Sequence, residues 1–108
     1  MDTFVRLSWD SPRLGPMTEA TIRQIHGDSR RNRLSKYVYD ANDEIEGTSR
    51  ECTGYVLEGS IQMTVGDASE SFKRGDVFRF SGGDYIAKTE RSEGAQLIWV
   101  WLLPEGVG

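Results

Sequence analysis

From residue 21 onward, apolar and polar positions follow the two-residue period of β-strands. Residues 21–26 carry Ile22 and Ile25 and are read as the first such strand. A polar turn follows at 27–32. Residues 34–39 form the next strand, with Tyr37 and Tyr39 on one face and Lys36 and Val38 on the other. Residues 40–42 are a turn signal. Strands at 54–58 and 60–65 meet at Gly59, and Ile61, Met63 and Val65 share one face of the second. Gly66-Asp67 is a hairpin turn leading to a strand at 69–73. Arg74-Gly75-Asp76 is a second tight turn, and strands at 77–80, 85–88 and 95–103 complete the series. Short strands recurring at intervals of about 8–12 residues predict a sandwich or barrel.

Two stretches break the rhythm. Residues 10–20 hold Asp10, Ser11, Pro12, Gly15 and Pro16 and read as a loop, with a short helical turn near 17–20. Residues 97–103, Leu-Ile-Trp-Val-Trp-Leu-Leu, are apolar on both faces. A strand with one wet face alternates, so both faces of this one need cover. One set of side chains enters the barrel. The other packs on a second sheet, on the N-terminal segment or on a second subunit, and a homodimer is the expected assembly.

Length and charge narrow the picture. The 108 residues suit one domain, with a strand and loop at 1–20, a barrel at 21–103 and a tail at 104–108. The net charge of −4 is unsuited to wrapping nucleic acid or lying on an anionic membrane. No stretch approaches the roughly 20 apolar residues of a spanning helix. The N-terminus carries neither a signal-peptide nor a lipidation signature. One cysteine, Cys52, leaves no internal disulfide, so a reducing compartment, the cytoplasm, is the expected location.

Two motifs carry a resemblance. Gly54-Tyr55-Val56-Leu57-Glu58-Gly59-Ser60-Ile61-Gln62-Met63 is similar to the "YVLEG" hairpin of the cupin superfamily. Arg74-Gly75-Asp76-Val77-Phe78-Arg79-Phe80-Ser81-Gly82-Gly83 is similar to its second motif. Together they resemble the small single-domain cupins of the ethanolamine-utilisation and ureidoglycine-aminohydrolase-like branch. The resemblance implies an all-β, antiparallel jelly-roll barrel that takes a small molecule into its interior, and Asp76 is placed to accept backbone N–H groups in its own turn.

The metal ligands of that family are not matched. Where the resemblance puts the motif's glutamate stands Cys52, and the second-motif histidine falls at Ile86. The nearest substitute for the paired histidines is Glu44-x-Glu46, out of step by one residue. First-row metals take three or four imidazole, thiolate or carboxylate donors together. The expectation is therefore no metal and no organic cofactor.

Candidate chemistry then rests on a few side chains. Cys52, inward-facing in the resemblance, is either a nucleophile or an inert buried thiol. His26, the one histidine, is either a general acid/base or a surface residue. Glu46, with Glu44, is either half of an acid/base pair or part of a solvated acidic loop that runs from Asp40 to Glu51. Arg79 either grips an anion inside the barrel or points out. Tyr37, Tyr39, Tyr55, Trp99 and Trp101 are candidate cavity wall. Arg23, Arg30, Arg31, Arg33 and Lys36 concentrate positive charge that suits an anionic partner or the acidic loop. The leading expectation is a metal-independent enzyme working by acid/base chemistry as an isomerase, cyclase, dehydratase or lyase, with His26, Glu46 and Cys52 as catalytic candidates. The alternatives are a non-catalytic ligand-binding or sensing barrel, and a metal-dependent barrel using Glu44, Glu46 and Cys52.

Overall fold

The computed structural model describes residues 3–26 and 32–102. Eight strands and two helices run in the order β1 (Phe4–Leu7), α1 (Ser11–Leu14), α2 (Glu19–His26), β2 (Asn32–Tyr39), β3 (Glu44–Ser49), β4 (Cys52–Val65), β5 (Ala68–Lys73), β6 (Val77–Phe80), β7 (Gly83–Thr89) and β8 (Ala95–Leu102). Every strand pairing is antiparallel. The all-β jelly-roll expectation holds. No helix among the described residues is long and apolar enough to cross a membrane.

Strand β4 belongs to both walls of the barrel. Residues 52–59 pair with β6 and β8, and residues 60–65 pair with β5 and β7. The handover falls at a bulge between Val56 and Glu58, followed by Gly59 at φ 72°. That backbone suits glycine, and a Cβ here would stand 1.9 Å from the Gly94 carbonyl oxygen. Sequence reading made two strands of this stretch; hydrogen bonding makes it one bent strand. Asp76 behaves as expected, with its Oδ2 accepting the Lys73 N–H at 2.8 Å. It also takes an ion pair from Arg6 at 2.8 Å.

Residues 19–26 are a helix, which corrects the strand reading of 21–26. Ile22 and Ile25 are three apart, which would put them on opposite faces of a strand. Local chemistry settles the choice: the Thr18 hydroxyl accepts the Thr21 N–H at 3.2 Å, and Glu19 pairs with Arg23 one turn on. The single turn α1 lies inside the segment read as loop. The turn at 27–32 lies outside the described residues apart from Asn32, which opens β2, and so do Leu103 and the tail at 104–108. The loop reading of the acidic run is also corrected. Residues 44–49 are strand β3, with Glu44, Glu46 and Thr48 exposed and the residues between them half-buried.

Alternation along β8 divides the core in two. Leu97 and Trp99 enter the barrel with Val56, Ile61, Met63, Phe72, Phe78 and Phe80. Ile98 and Val100 face outward, where Ile22 of α2, Tyr55 and Val77 close over them, with Trp9, Met17 and Leu34 packed alongside. The chain's own N-terminal segment thus covers the apolar face from which a homodimer was expected. Much of the interior is solid aromatic: Phe72 and Phe78 stack at 4.0 Å, and Phe4 stacks on Phe80 at 5.3 Å. Interlocked rings fill that part of the interior.

Gly59→Ala places a side chain at positive φ and against a carbonyl. We expect a loss of about 2 kcal/mol or more. In a thermal melt this is a Tm drop of roughly 8 °C or more; an unchanged Tm would refute the strained-handover account.

Candidate functional site

The inward rows of three strands converge at the open end of the barrel. On β2 that row is Arg33, Ser35, Tyr37 and Tyr39, because Leu34 lies in the outer core. On β3 it is Ile45, Gly47 and Ser49, and on β8 it is Leu97, Trp99 and Trp101. Strand β7 adds Tyr85 and Ala87. These rows end in an open cavity of about 470 Å³ lined by Arg33, Tyr37, Thr48, Ser49, Arg50, Tyr85 and Trp101. A small apolar cleft continues below it between Tyr37, Phe80, Trp99 and Trp101. The cavity volume falls in the usual range for small-molecule sites, about 300–1,000 Å³. A larger concavity of about 570 Å³ lies on the outer face of β3 and β7, along Glu46, Thr48, Asp84 and Ile86. Tyr85 is the single aromatic residue in its lining, so it is the poorer site.

Hydrogen bonds fix the aromatic wall. The Trp99 indole N–H donates to the Tyr39 hydroxyl at 3.0 Å, and the Trp101 N–H donates to Ser49 Oγ at 2.7 Å. Ser49 passes its one proton to the Arg50 carbonyl at 2.8 Å. Its 3.7 Å approach to Cys52 Sγ is then secondary. Tyr85 owes its position to Gly47: a Cβ at residue 47 would lie 2.7 Å from the Tyr85 hydroxyl. The missing side chain is what lets the phenol lie across the mouth. Tyr37 meets Trp101 at 6.1 Å and Tyr39 at 6.2 Å, both within aromatic contact range.

Burial keeps the interior groups protonated. It pushes the Cys52 thiol up to about 11; the Ser49 contact works the other way and Glu51 adds to the rise. Burial likewise raises Tyr39, against the Trp99 hydrogen bond, and raises Tyr85, whose shift Tyr37 and Cys52 increase. None of the three is charged at neutral pH.

The proposed catalytic residues lie apart. Cys52 is buried at the inner wall. His26 ends α2 on the outer face of the sheet that carries Cys52 on its inner face, with Nε2 2.6 Å from the Tyr55 hydroxyl and its pKa lowered by burial. Glu46 is on the exposed row of β3. No two of them share a site. Arg79 also points away: its neighbours Phe78 and Phe80 take the inner face, and its guanidinium bonds Glu51 outside. Tyr37, Tyr39, Trp99 and Trp101 do come together. Sequence reading did not assign Arg33, Gly47, Ser49, Arg50 or Tyr85 to the site. Stepping by two from Tyr37 reaches Arg33, so that one was within reach. Tyr85 was hidden by the resemblance, which pointed to its neighbour Ile86.

The donors for a first-row metal do not fit this barrel. The described positions that face inward on β3 and β7 are Ile45, Gly47, Ser49, Tyr85 and Ala87, which leaves Cys52 as a lone soft donor. Among the described residues, no three His, Cys, Asp or Glu side chains gather closely enough to hold an ion. Glu44 and Glu46 face solvent on the far side of the strand.

No protein-family model matches the sequence, and no curated protein matches it. Solved structures do. The chain is similar to the Cupin_2 domain of an XRE family transcriptional regulator from Enterobacter cloacae, at 12% identity over 96% of this chain and 100% of that one, with TM-score 0.64. It is similar to a cupin superfamily protein from Desulfitobacterium hafniense, at 15% identity over 72% of each chain and TM-score 0.59. The EutQ protein of Clostridium difficile matches at 16% identity, over 67% of this chain and 58% of that one, with TM-score 0.53.

The Cys52 shift predicts an alkaline weakness. Its folded pKa of about 11 stands above the ordinary 9.0, so its contribution to stability is complete below pH 9 and fades as pH rises toward 11. Melting temperatures should fall through that window, and the fall should be shallower in Cys52→Ala. Iodoacetamide should label the native thiol far more slowly than the unfolded one at neutral pH. Equal labelling rates would remove the buried-thiol account.

Proposed function

We propose that this chain, a small β-barrel of the cupin fold, binds a small organic molecule at its aromatic mouth without transforming it. One observation carries the reading. The open end of the barrel combines a fixed aromatic wall with uncharged hydroxyls, while the groups suited to proton transfer lie elsewhere. A general base works best with a pKa near the operating pH. Tyr39, Cys52 and Tyr85 are all shifted away from neutrality by burial, so they favour holding a ligand over taking its proton. His26 and Glu46 could serve such a reaction only from the outer faces, out of reach of the mouth.

Recognition on this reading has two parts. The faces of Tyr37 and Trp101 take a flat apolar body, and polar groups around the rim set its orientation. Burial of the deeper rings gives the wall its rigidity. Trp99 is almost fully buried behind Trp101, with the two indoles stacked at 6.4 Å. A preorganised wall loses little side-chain entropy on binding.

The neutral probe 2-naphthylmethanol tests this by isothermal titration. Trp101→Ala should weaken binding about tenfold, equivalent to roughly 1.4 kcal/mol. His26→Ala and Glu46→Gln should leave the affinity within about twofold, the scatter expected for distant surface sites. Loss of binding on His26→Ala with retention in Trp101→Ala would move the site off the mouth. A second test concerns shape: Gly47→Ala should dislodge the Tyr85 ring and weaken the same probe, whereas an unaltered affinity would mean that Tyr85 forms no part of the wall.

A further inference from the structure

Among the described residues, the lining of the mouth cavity holds donors and no carboxylate. Its lining residues are two arginines, two tyrosines, two hydroxyl residues and a tryptophan, in a chain whose net charge is −4. Arg33 sits on the inward row of β2, directly opposite Trp101 in the strand register. Arg50 follows Ser49 at the turn from β3 to β4. Elsewhere the exposed cations are mostly engaged: Arg6 with Asp76 and Glu70, Arg23 and Lys36 with Glu19, Arg74 with Glu58, Arg79 with Glu51, and Lys88 with Glu44. Arg33 and Arg50 have no such counter-ion among the described residues. The hydroxyls of Tyr37 and Tyr85 likewise have no hydrogen-bond partner among the described residues and are open to the cavity.

We propose that the ligand of this mouth is a flat-ring carboxylate, with its ring against Trp101 and Tyr37 and its carboxylate between Arg33 and Arg50. The inference rests on the binding reading above and names its ligand class. A guanidinium offers a planar fork of donors that matches a carboxylate, and phenol hydroxyls add donors without charge. The same fork also fits a phosphate ester. The acidic surroundings choose between the two: Glu46 and Asp84 lie on the neighbouring strands, and the chain as a whole is negative. A second negative charge on the ligand would be opposed by that field. Among the described residues the lining has no carboxylate to match a ligand cation, so an amine in the same place would meet two positive charges.

Three probes with one ring separate the outcomes: 2-naphthoate, 2-naphthylmethanol and 2-naphthyl phosphate, each titrated into the full chain. Naphthoate should bind about tenfold tighter than the alcohol at low salt, and this advantage should shrink as salt rises. Arg33→Gln and Arg50→Gln should each remove most of that advantage, bringing naphthoate close to the alcohol measured on the same variant. Both side chains are exposed, and unchanged melting temperatures will confirm that the variants fold. Naphthoate binding no better than the alcohol, with Trp101-dependent alcohol binding intact, overturns the carboxylate and leaves the binding reading standing. Tighter binding of the phosphate than of naphthoate also overturns it. If none of the three binds, the reading of the mouth as a ligand site falls, and the carboxylate with it.

Discussion

Strand β4 hydrogen-bonds to four others, β5, β6, β7 and β8, and so ties the two walls of the barrel into one sheet system. This requires a strand of 14 residues that bends in the middle without losing its ladder. The bulge at Val56 and Glu58 and the left-handed backbone of Gly59 supply the bend. The inward rows of both walls are set by that bend. Were the register to slip by one residue, Cys52, Val56, Ile61 and Met63 would all turn outward. The placement of the mouth residues on β3, β7 and β8 follows from the same registration, because β7 and β8 pair directly with β4.

The barrel is filled unevenly. At one end the phenylalanine rings interlock, with Phe78 stacked on Phe72 and set edge-on against Trp99 at 5.4 Å. At the other end the rings are larger and polar-tipped, and they anchor one another by hydrogen bonds instead of filling the space. Trp and Tyr do this because each has an apolar body and one polar group that seeks a partner when buried. Two such pairs, Trp99 with Tyr39 and Trp101 with Ser49, mark the boundary between core and cavity. The ligand-sized space is thus a consequence of where the sequence changes from phenylalanine to tryptophan and tyrosine.

Much of the fold was legible in the sequence because alternation is a strong signal. Residues 77–80 were read as a strand, and β6 has those bounds. The two covered faces of β8 were anticipated from its unbroken apolar run. Residues 19–26 were misread because two isoleucines in a short segment fit either period, and the capping threonine decides the matter from outside the window. Residues 44–49 were misread as loop because charge hid a strand whose polar face simply meets water. The aromatic half of the site was visible as residue types. Its cationic half was not. Arg33 lay in a run of arginines where only strand phase distinguishes the inward residue, and Arg50 depends on a turn. Gly47 and Tyr85 depend on each other across two strands, a relation that no one-dimensional pattern contains.

The hydroxyl of Ser49 accepts from the Trp101 indole and donates to the backbone of Arg50 with its only proton. One small side chain therefore ties the tilt of a ring on β8 to the backbone of the turn that carries Arg50. In evolutionary terms the two are not independent traits: a descendant that replaced Ser49 would release the Trp101 ring and the Arg50 turn in a single step, whereas substitutions further along the rim can alter one element at a time.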